Sequence, residues 1–171
     1  MNAKNNFRIL VVDDDADLRF ISEKWLINAG YTVKTAANGA ECMRTVFDFR
    51  PDLLVLDVMM PDSSGIDLCR KIKADPGLSM TYIILVSGKK NSPEDISEGL
   101  ETGADGYLVK PVDPRELLAR VEAARRVILA EKKLLQSEER FRNLFEHSTV
   151  GKSMTSLDGS IRVNQLSLIH I

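Results

Sequence analysis

Apolar runs and helical spacings alternate along the first two thirds of the chain. Ile9-Leu10-Val11-Val12, Leu53-Leu54-Val55-Leu56, Tyr82-Ile83-Ile84-Leu85-Val86 and Tyr107-Leu108-Val109 are continuously apolar, the pattern of strands covered on both faces. Tyr31-Thr32-Val33-Lys34-Thr35-Ala36 alternates instead, as a half-exposed edge strand does. Between the strands the period lengthens. Leu18, Ile21, Trp25 and Ala29 recur at three- and four-residue steps, and Gly30 supplies a helix stop. Met43 with Val46 and Phe47, Ile66 with Cys69 and Ile72, and Ile96 with Leu100 mark three shorter helices, the last opened by Ser92-Pro93. Five strands alternating with helices imply right-handed crossovers and a parallel sheet between two helical layers, a doubly wound α/β domain.

A fifth helix opens at Asp113-Pro114-Arg115-Glu116, where Asp113 can cap and Pro114 fits the first turn. It overruns the domain, because neither Gly nor Pro interrupts the chain again before Gly151. Leu117, Val121, Ala124, Ile128 and Leu135 form a seam that Glu131 interrupts. Two readings stay open: a short coiled coil that makes a homodimer through this C-terminal helix, or a sheet-packed start followed by a solvated helix.

At 171 residues the chain has room for one ordinary domain and a remnant. Its 44% hydrophobic and 28% charged residues suit a soluble protein. No apolar run reaches bilayer length and the start lacks a secretory signal, so no membrane partner and a cytoplasmic location are expected. A net charge of −2 gives no electrostatic reason for nucleic-acid binding, and no direct nucleic-acid partner is expected. Cys42 and Cys69 lie in helical patterns and read as reduced core thiols.

Ligands of an open parallel sheet sit beyond the carboxyl ends of its strands. Asp13 and Asp14 follow the first strand, Asp57 ends the third, Ser87 the fourth, and Lys110 the fifth. Carboxylates gathered there repel one another by about 4 kcal/mol per pair at 4 Å and an effective dielectric of 20, so the cluster calls for a cation. All-oxygen ligands favour Mg²⁺. Asp57 is then the candidate nucleophile toward phosphorus, with Lys110 and Ser87 contacting phosphoryl oxygens.

Leu10-Val11-Val12-Asp13-Asp14-Asp15, Leu56-Asp57-Val58-Met59-Met60-Pro61-Asp62, Val86-Ser87-Gly88 and Gly103-Ala104-Asp105-Gly106-Tyr107-Leu108-Val109-Lys110-Pro111 resemble the response-regulator receiver family. The resemblance covers residues 7 to 125 and implies a flavodoxin-like sheet of strand order 2-1-3-4-5. It implies that Asp57 takes phosphate from a histidine kinase or phosphotransfer protein, with Mg²⁺ held by Asp13, Asp14, Asp57 and the Met59 backbone carbonyl. Ser87 and Tyr107 would be the switch pair, altering the face formed by the fourth helix and fifth strand. The Lys110-Pro111 bond would be cis. Apart from Mg²⁺-dependent self-phosphorylation and self-dephosphorylation, the resemblance implies no enzyme activity.

Ser137 through Ser148 and Leu157 through Asn164 resemble the opening of a PAS sensor domain, of which about the first third is present. The expected organisation is a receiver over 1–125, a helical linker over 126–140, an incomplete PAS start over 141–165, and an atypical tail over 166–171. That tail departs from the usual continuation and points to truncation or a foreign end. Two rivals remain. A receiver-like scaffold would work unphosphorylated. A dehalogenase-type phosphatase would use Asp13 and Asp15 as an Asp-x-Asp pair, but leaves Asp57 and Lys110-Pro111 unexplained.

Overall fold

The computed structural model describes residues 4, 6–88, 103–146, 153–155 and 160–163. Five parallel strands form one sheet: β1 (Arg8–Val12), β2 (Thr32–Ala36), β3 (Leu53–Asp57), β4 (Tyr82–Ser87) and β5 (Gly106–Val109), in the order β2-β1-β3-β4-β5. The crossovers include helices α1 (Ala16–Asn28), α2 (Gly39–Phe49) and α3 (Gly65–Ala74), and α4 (Pro114–Glu146) follows β5. The helix expected around Ser92 to Leu100 lies outside the described residues. The flavodoxin-like sheet of order 2-1-3-4-5 is thus the observed one.

The two-residue period of the strands divides the core into two faces. Leu10, Val12, Leu54, Leu56, Ile83 and Leu85 pack with Cys42 and Val46 of α2 and Leu68, Cys69 and Ile72 of α3. Ile9, Val11, Leu53, Val55, Ile84 and Val86 turn the other way, against Leu26 of α1 and Leu117, Val121, Ala124 and Ile128 of α4. Both cysteines are free and buried, and burial, with Asp62 adding its charge, pushes the Cys42 thiol up to about 12. No described helix is long and apolar enough to cross a membrane.

The α4 seam resolves into two parts. Its first four members face the sheet of their own domain and are 1%, 0%, 1% and 5% exposed, so a helical partner has no access to them. Leu135 is exposed. Asp113 caps the helix, its carboxylate accepting from the Arg115 and Glu116 amides at 2.8 and 3.3 Å.

On α1 the outcome differs from expectation. Leu26 is its buried residue, while Leu18 and Ile21 are 37% and 42% exposed. They line a cleft with Trp25, Val112 and Leu117 that reaches Asp13 and Lys110. Helical spacing shows that a face is apolar, but the length of the neighbouring elements decides how much of it is covered.

The chain divides into two compact units, Met1–Ile128 and Leu129–Ile171. The second contains the remainder of α4 and an antiparallel pair, β6 (Ser153–Thr155) and β7 (Ile161–Val163), in which Met154 lies opposite Arg162.

Candidate functional site

Parallel pairing in register brings four strand ends together. Val12 lies beside Leu56, Asp57 beside Val86, and Ser87 beside Val109. The residues at or just past these ends are Asp13, Asp57, Ser87 and Lys110, the first three buried at 7%, 3% and 3% exposure. Asp14 is exposed at the rim. One carboxylate oxygen from each of Asp13, Asp14 and Asp57 lies within 4.8 Å of the others.

The Lys110 ammonium bridges two members of this group, with Nζ 2.8 Å from Asp13 Oδ2 and 2.8 Å from Asp57 Oδ2. Its backbone amide donates to the Ser87 carbonyl at 2.7 Å, and the Lys110-Pro111 peptide is cis. Asp57 Oδ1 accepts from the Met59 amide at 3.3 Å, and the Met59 side chain is exposed. Tyr107, on β5, is half-buried against the core face that carries Leu56 and Leu85.

One ammonium stands against three carboxylates, and the protonation equilibria reflect the imbalance. Burial raises the Asp57 carboxyl above its ordinary value; the Lys110 hydrogen bond and charge pull it back, and the Asp13 charge raises it again. At Lys110 burial works downward, but hydrogen bonds to Asp13 and Asp57 outweigh it, so the ammonium is held charged well above neutrality. The uncompensated negative charge and the all-oxygen donors fit a small divalent cation such as Mg²⁺.

The loops that frame the cluster are tied down by groups whose contacts are not evident in the sequence. Asp15 caps α1, its carboxylate accepting from the Asp17 and Leu18 amides, while its own amide donates to Asp13 Oδ1 at 2.9 Å. The carboxylate that gathers with Asp13 and Asp57 is that of Asp14. Arg19 donates to the Asp13 carbonyl at 2.6 Å. Gly65 begins α3, and its amide donates to the Val58 carbonyl at 2.9 Å. Asn38 caps α2, its side-chain oxygen accepting from the Glu41 amide at 2.9 Å, and Asn38, Asp62 and Gly65 are the kinds of residue that cap and turn, which is the signal available in the sequence.

Asp62 is more than a solvated loop acid. Its carboxylate accepts from the Gly39 amide at 3.0 and 3.2 Å, at the start of α2, which fastens the loop after Asp57 to a second element. The Gly39 hydrogen bond is the largest cause holding the Asp62 carboxyl below its usual range. A depressed carboxyl contributes stability above its unfolded pKa and loses it as pH falls through the folded value. Asp62→Ala is therefore expected to melt below the native chain at neutral pH, with the gap closing in acid. Thermal melts over a pH series check this, and a pH-independent gap would contradict the carboxylate origin.

Residues 9–122 match the family model of the response regulator receiver domain. The DNA-binding response regulator MtrA of Mycolicibacterium paratuberculosis is 42% identical over 116 residues, covering 68% of this chain and 50% of the relative. Among solved structures, the chemotaxis protein CheY4 of Vibrio cholerae matches with a TM-score of 0.66 at 33% identity, over 69% of this chain and 98% of that one. The BeF3-activated DrrB receiver domain matches with a TM-score of 0.64 at 35% identity, over 70% and 97%. The chain spans about half the length of the MtrA relatives it matches.

These relatives correct the expectation of no direct nucleic-acid partner. A protein named as DNA-binding carries a closely similar segment, so the net charge of such a segment does not exclude DNA. Net charge averages over a whole chain, whereas nucleic acid is held by a local cluster of Lys and Arg.

Proposed function

The chain belongs to the response regulator receiver domain family, and from that premise we propose that it relays signals by accepting a phosphoryl group on Asp57 from a histidine kinase or phosphotransfer protein. The observation that carries this reading is the grouping of Asp13, Asp14 and Asp57 with Lys110 bridging two of them. An Asp57 carboxylate oxygen forms the new bond to phosphorus, while the bond from phosphorus to the donor imidazole breaks and that nitrogen keeps the electron pair. When bound, Mg²⁺ neutralises charge that develops on the phosphoryl oxygens, and Asp13, Asp14, Asp57 and the Met59 carbonyl would hold it.

Lys110 supplies a fixed positive charge beside the acceptor oxygen, at the end of a strand that also carries Tyr107. Once Asp57 carries the phosphoryl group as an acyl phosphate, its tie to Lys110 is altered, and the hydroxyl of Ser87 and the ring of Tyr107 form the switch that transmits the change to the β5 face. Phosphorylation then shifts a population between two packings, which requires the modified site to favour one of them. No turnover of a separate substrate is part of this role, and a cytoplasmic location follows from it.

Two observations bear on the output. The antiparallel β6–β7 pair supports a PAS beginning in residues 141–165, and a relative named as a DNA-binding response regulator supports a nucleic-acid-directed output. Reading the gene beyond residue 171 separates them: further PAS strands favour the first, a basic recognition helix the second.

Intact-mass spectrometry after incubation with acetyl phosphate tests the acceptor role. A single phosphoryl adduct is expected that requires Mg²⁺ and is absent from Asp57→Asn. An adduct surviving in that variant would move the nucleophile elsewhere, and no adduct from acetyl phosphate or from a phosphorylated donor would leave an unphosphorylated scaffold.

A further inference from the structure

We propose that Val127, Ala130, Leu134, Ser137, Phe141 and Leu144 of α4 form the contact seam of a parallel two-stranded coiled coil with a second copy of this chain. The sheet-facing stripe of α4 ends at Ile128, and every residue from 129 to 144 is exposed. Six of the exposed side chains from Val127 to Leu144 are large and apolar, and four of them, Val127 47%, Leu134 62%, Phe141 53% and Leu144 71%, share one stripe. Four such side chains on a highly charged helix need a reason, because isolated helical surface is otherwise polar.

Their spacing supplies one. Val127, Leu134 and Phe141 stand seven residues apart, with Ala130, Ser137 and Leu144 each three further on, the a and d positions of successive heptads. Of the seven registers that a heptad can take across residues 127–144, this one alone places no charged residue at a or d. The seam that includes Ile128 and Leu135 would put Glu131 and Glu138 inside. Small residues at 130 and 137 let two backbones approach, and Leu134 and Phe141 then carry the buried area.

The flanking charges select both the partner and its direction. The g positions are Arg126, Lys133 and Arg140, all basic, while the e positions Glu131 and Glu138 are acidic. In a parallel pair each g side chain meets the e position five residues further along the partner, so Arg126 faces Glu131 and Lys133 faces Glu138 of the second copy. An antiparallel pair would set basic against basic and acidic against acidic, which is disfavoured. Among the described residues Glu131, Lys133 and Glu138 make no ion pair within the chain, so all three are available to a partner.

The seam covers 18 residues, from Val127 to Leu144, or about 27 Å of helix. Two and a half heptads give weak association, so sedimentation of the full chain is followed from low micromolar to near-millimolar concentration. A reversible monomer–dimer equilibrium is expected. Lys133→Glu and Glu138→Lys, both on solvent-exposed positions, should each raise the dissociation constant about tenfold, and the double variant should return to within roughly threefold of the native value. Under mild oxidation Ser137→Cys should yield a disulfide-linked dimer, whereas Glu139→Cys on the outer face should not. A chain that stays monomeric throughout overturns the proposal, as does a double variant no better than the singles or equal cross-linking from both cysteine positions.

Discussion

Replacing Gly65 with alanine is expected to destabilise the domain by about 3 kcal/mol or more and to lower its melting temperature by on the order of 10 °C. A β-carbon at this position would collide with the carbonyl carbon and oxygen of Asp57 and the α-carbon of Val58. These are backbone atoms, which cannot rotate aside as a side chain would. The Asp57 end is held by β3, a strand buried along its whole length, and the α3 end by the buried Leu68, Cys69 and Ile72. Relief therefore requires moving α3 or the backbone that carries Asp57. Gly88 provides the control, since among the described residues nothing lies within 4 Å of a β-carbon added there. Chemical denaturation of both alanine variants makes the comparison; a Gly65→Ala chain as stable as Gly88→Ala would show that the contact yields without cost.

The second large effect concerns charge. Asp57→Asn is expected to melt higher than the native chain when no divalent cation is present, and Mg²⁺ is expected to narrow the difference. Asparagine keeps the shape and an oxygen for the Met59 amide, but gives up the ion pair with Lys110. The sign depends on which is larger, the pairing or the burden of a buried charge. Burial, reinforced by Asp13, holds the Asp57 carboxyl above its ordinary value despite Lys110, so the ionised form is a net burden. For a raised carboxyl the folded state binds the proton more tightly, and stability falls as pH rises through the interval between the unfolded and folded pKa. The advantage of the variant should accordingly be full at neutral pH and shrink in acid as native Asp57 takes up its proton. A cation bound only by the folded native chain adds stability that the variant gains less. Thermal melts with chelator and with Mg²⁺ test this, and a variant that melts lower under both conditions would show the ion pair to dominate.

Most of the fold was legible because its strands are short, apolar and separated by changes of period. Leu53 to Leu56 can hardly be other than a strand buried on both faces, and its place fixes where Asp57 emerges. The grouping of Asp13, Asp57, Ser87 and Lys110 followed from the rule that strand ends in such a sheet share one edge. What escaped the sequence was contact between segments distant along the chain. A lone acid in a polar loop carries no sign that its partners are the Gly39 and Ala40 amides, 22 or more residues earlier. Gly65 resembles any loop glycine until the Asp57 backbone is seen against it. Periodicity also overstated burial on α1, where Leu18 and Ile21 belong to an apolar face that the sheet only partly covers. On α4 the sequence left two readings open, because Ile128 and Leu135 lie on a common line; Ile128 is buried against the sheet and Leu135 is exposed, the outcome of the sheet-packed start.

The strand order has a bearing on which half of the site can yield. Asp13 follows β1 and Asp57 ends β3, and each of these strands is hydrogen-bonded on both sides. Tyr107 belongs to β5, a four-residue strand with β4 as its single neighbour, and Lys110 follows its last residue. Loosening β5 severs one ladder, whereas loosening β3 severs two, so the free energy of local opening is graded across the cleft. The acidic wall is a stator, and the lysine and tyrosine ride on the rim that can lift without unfastening the rest.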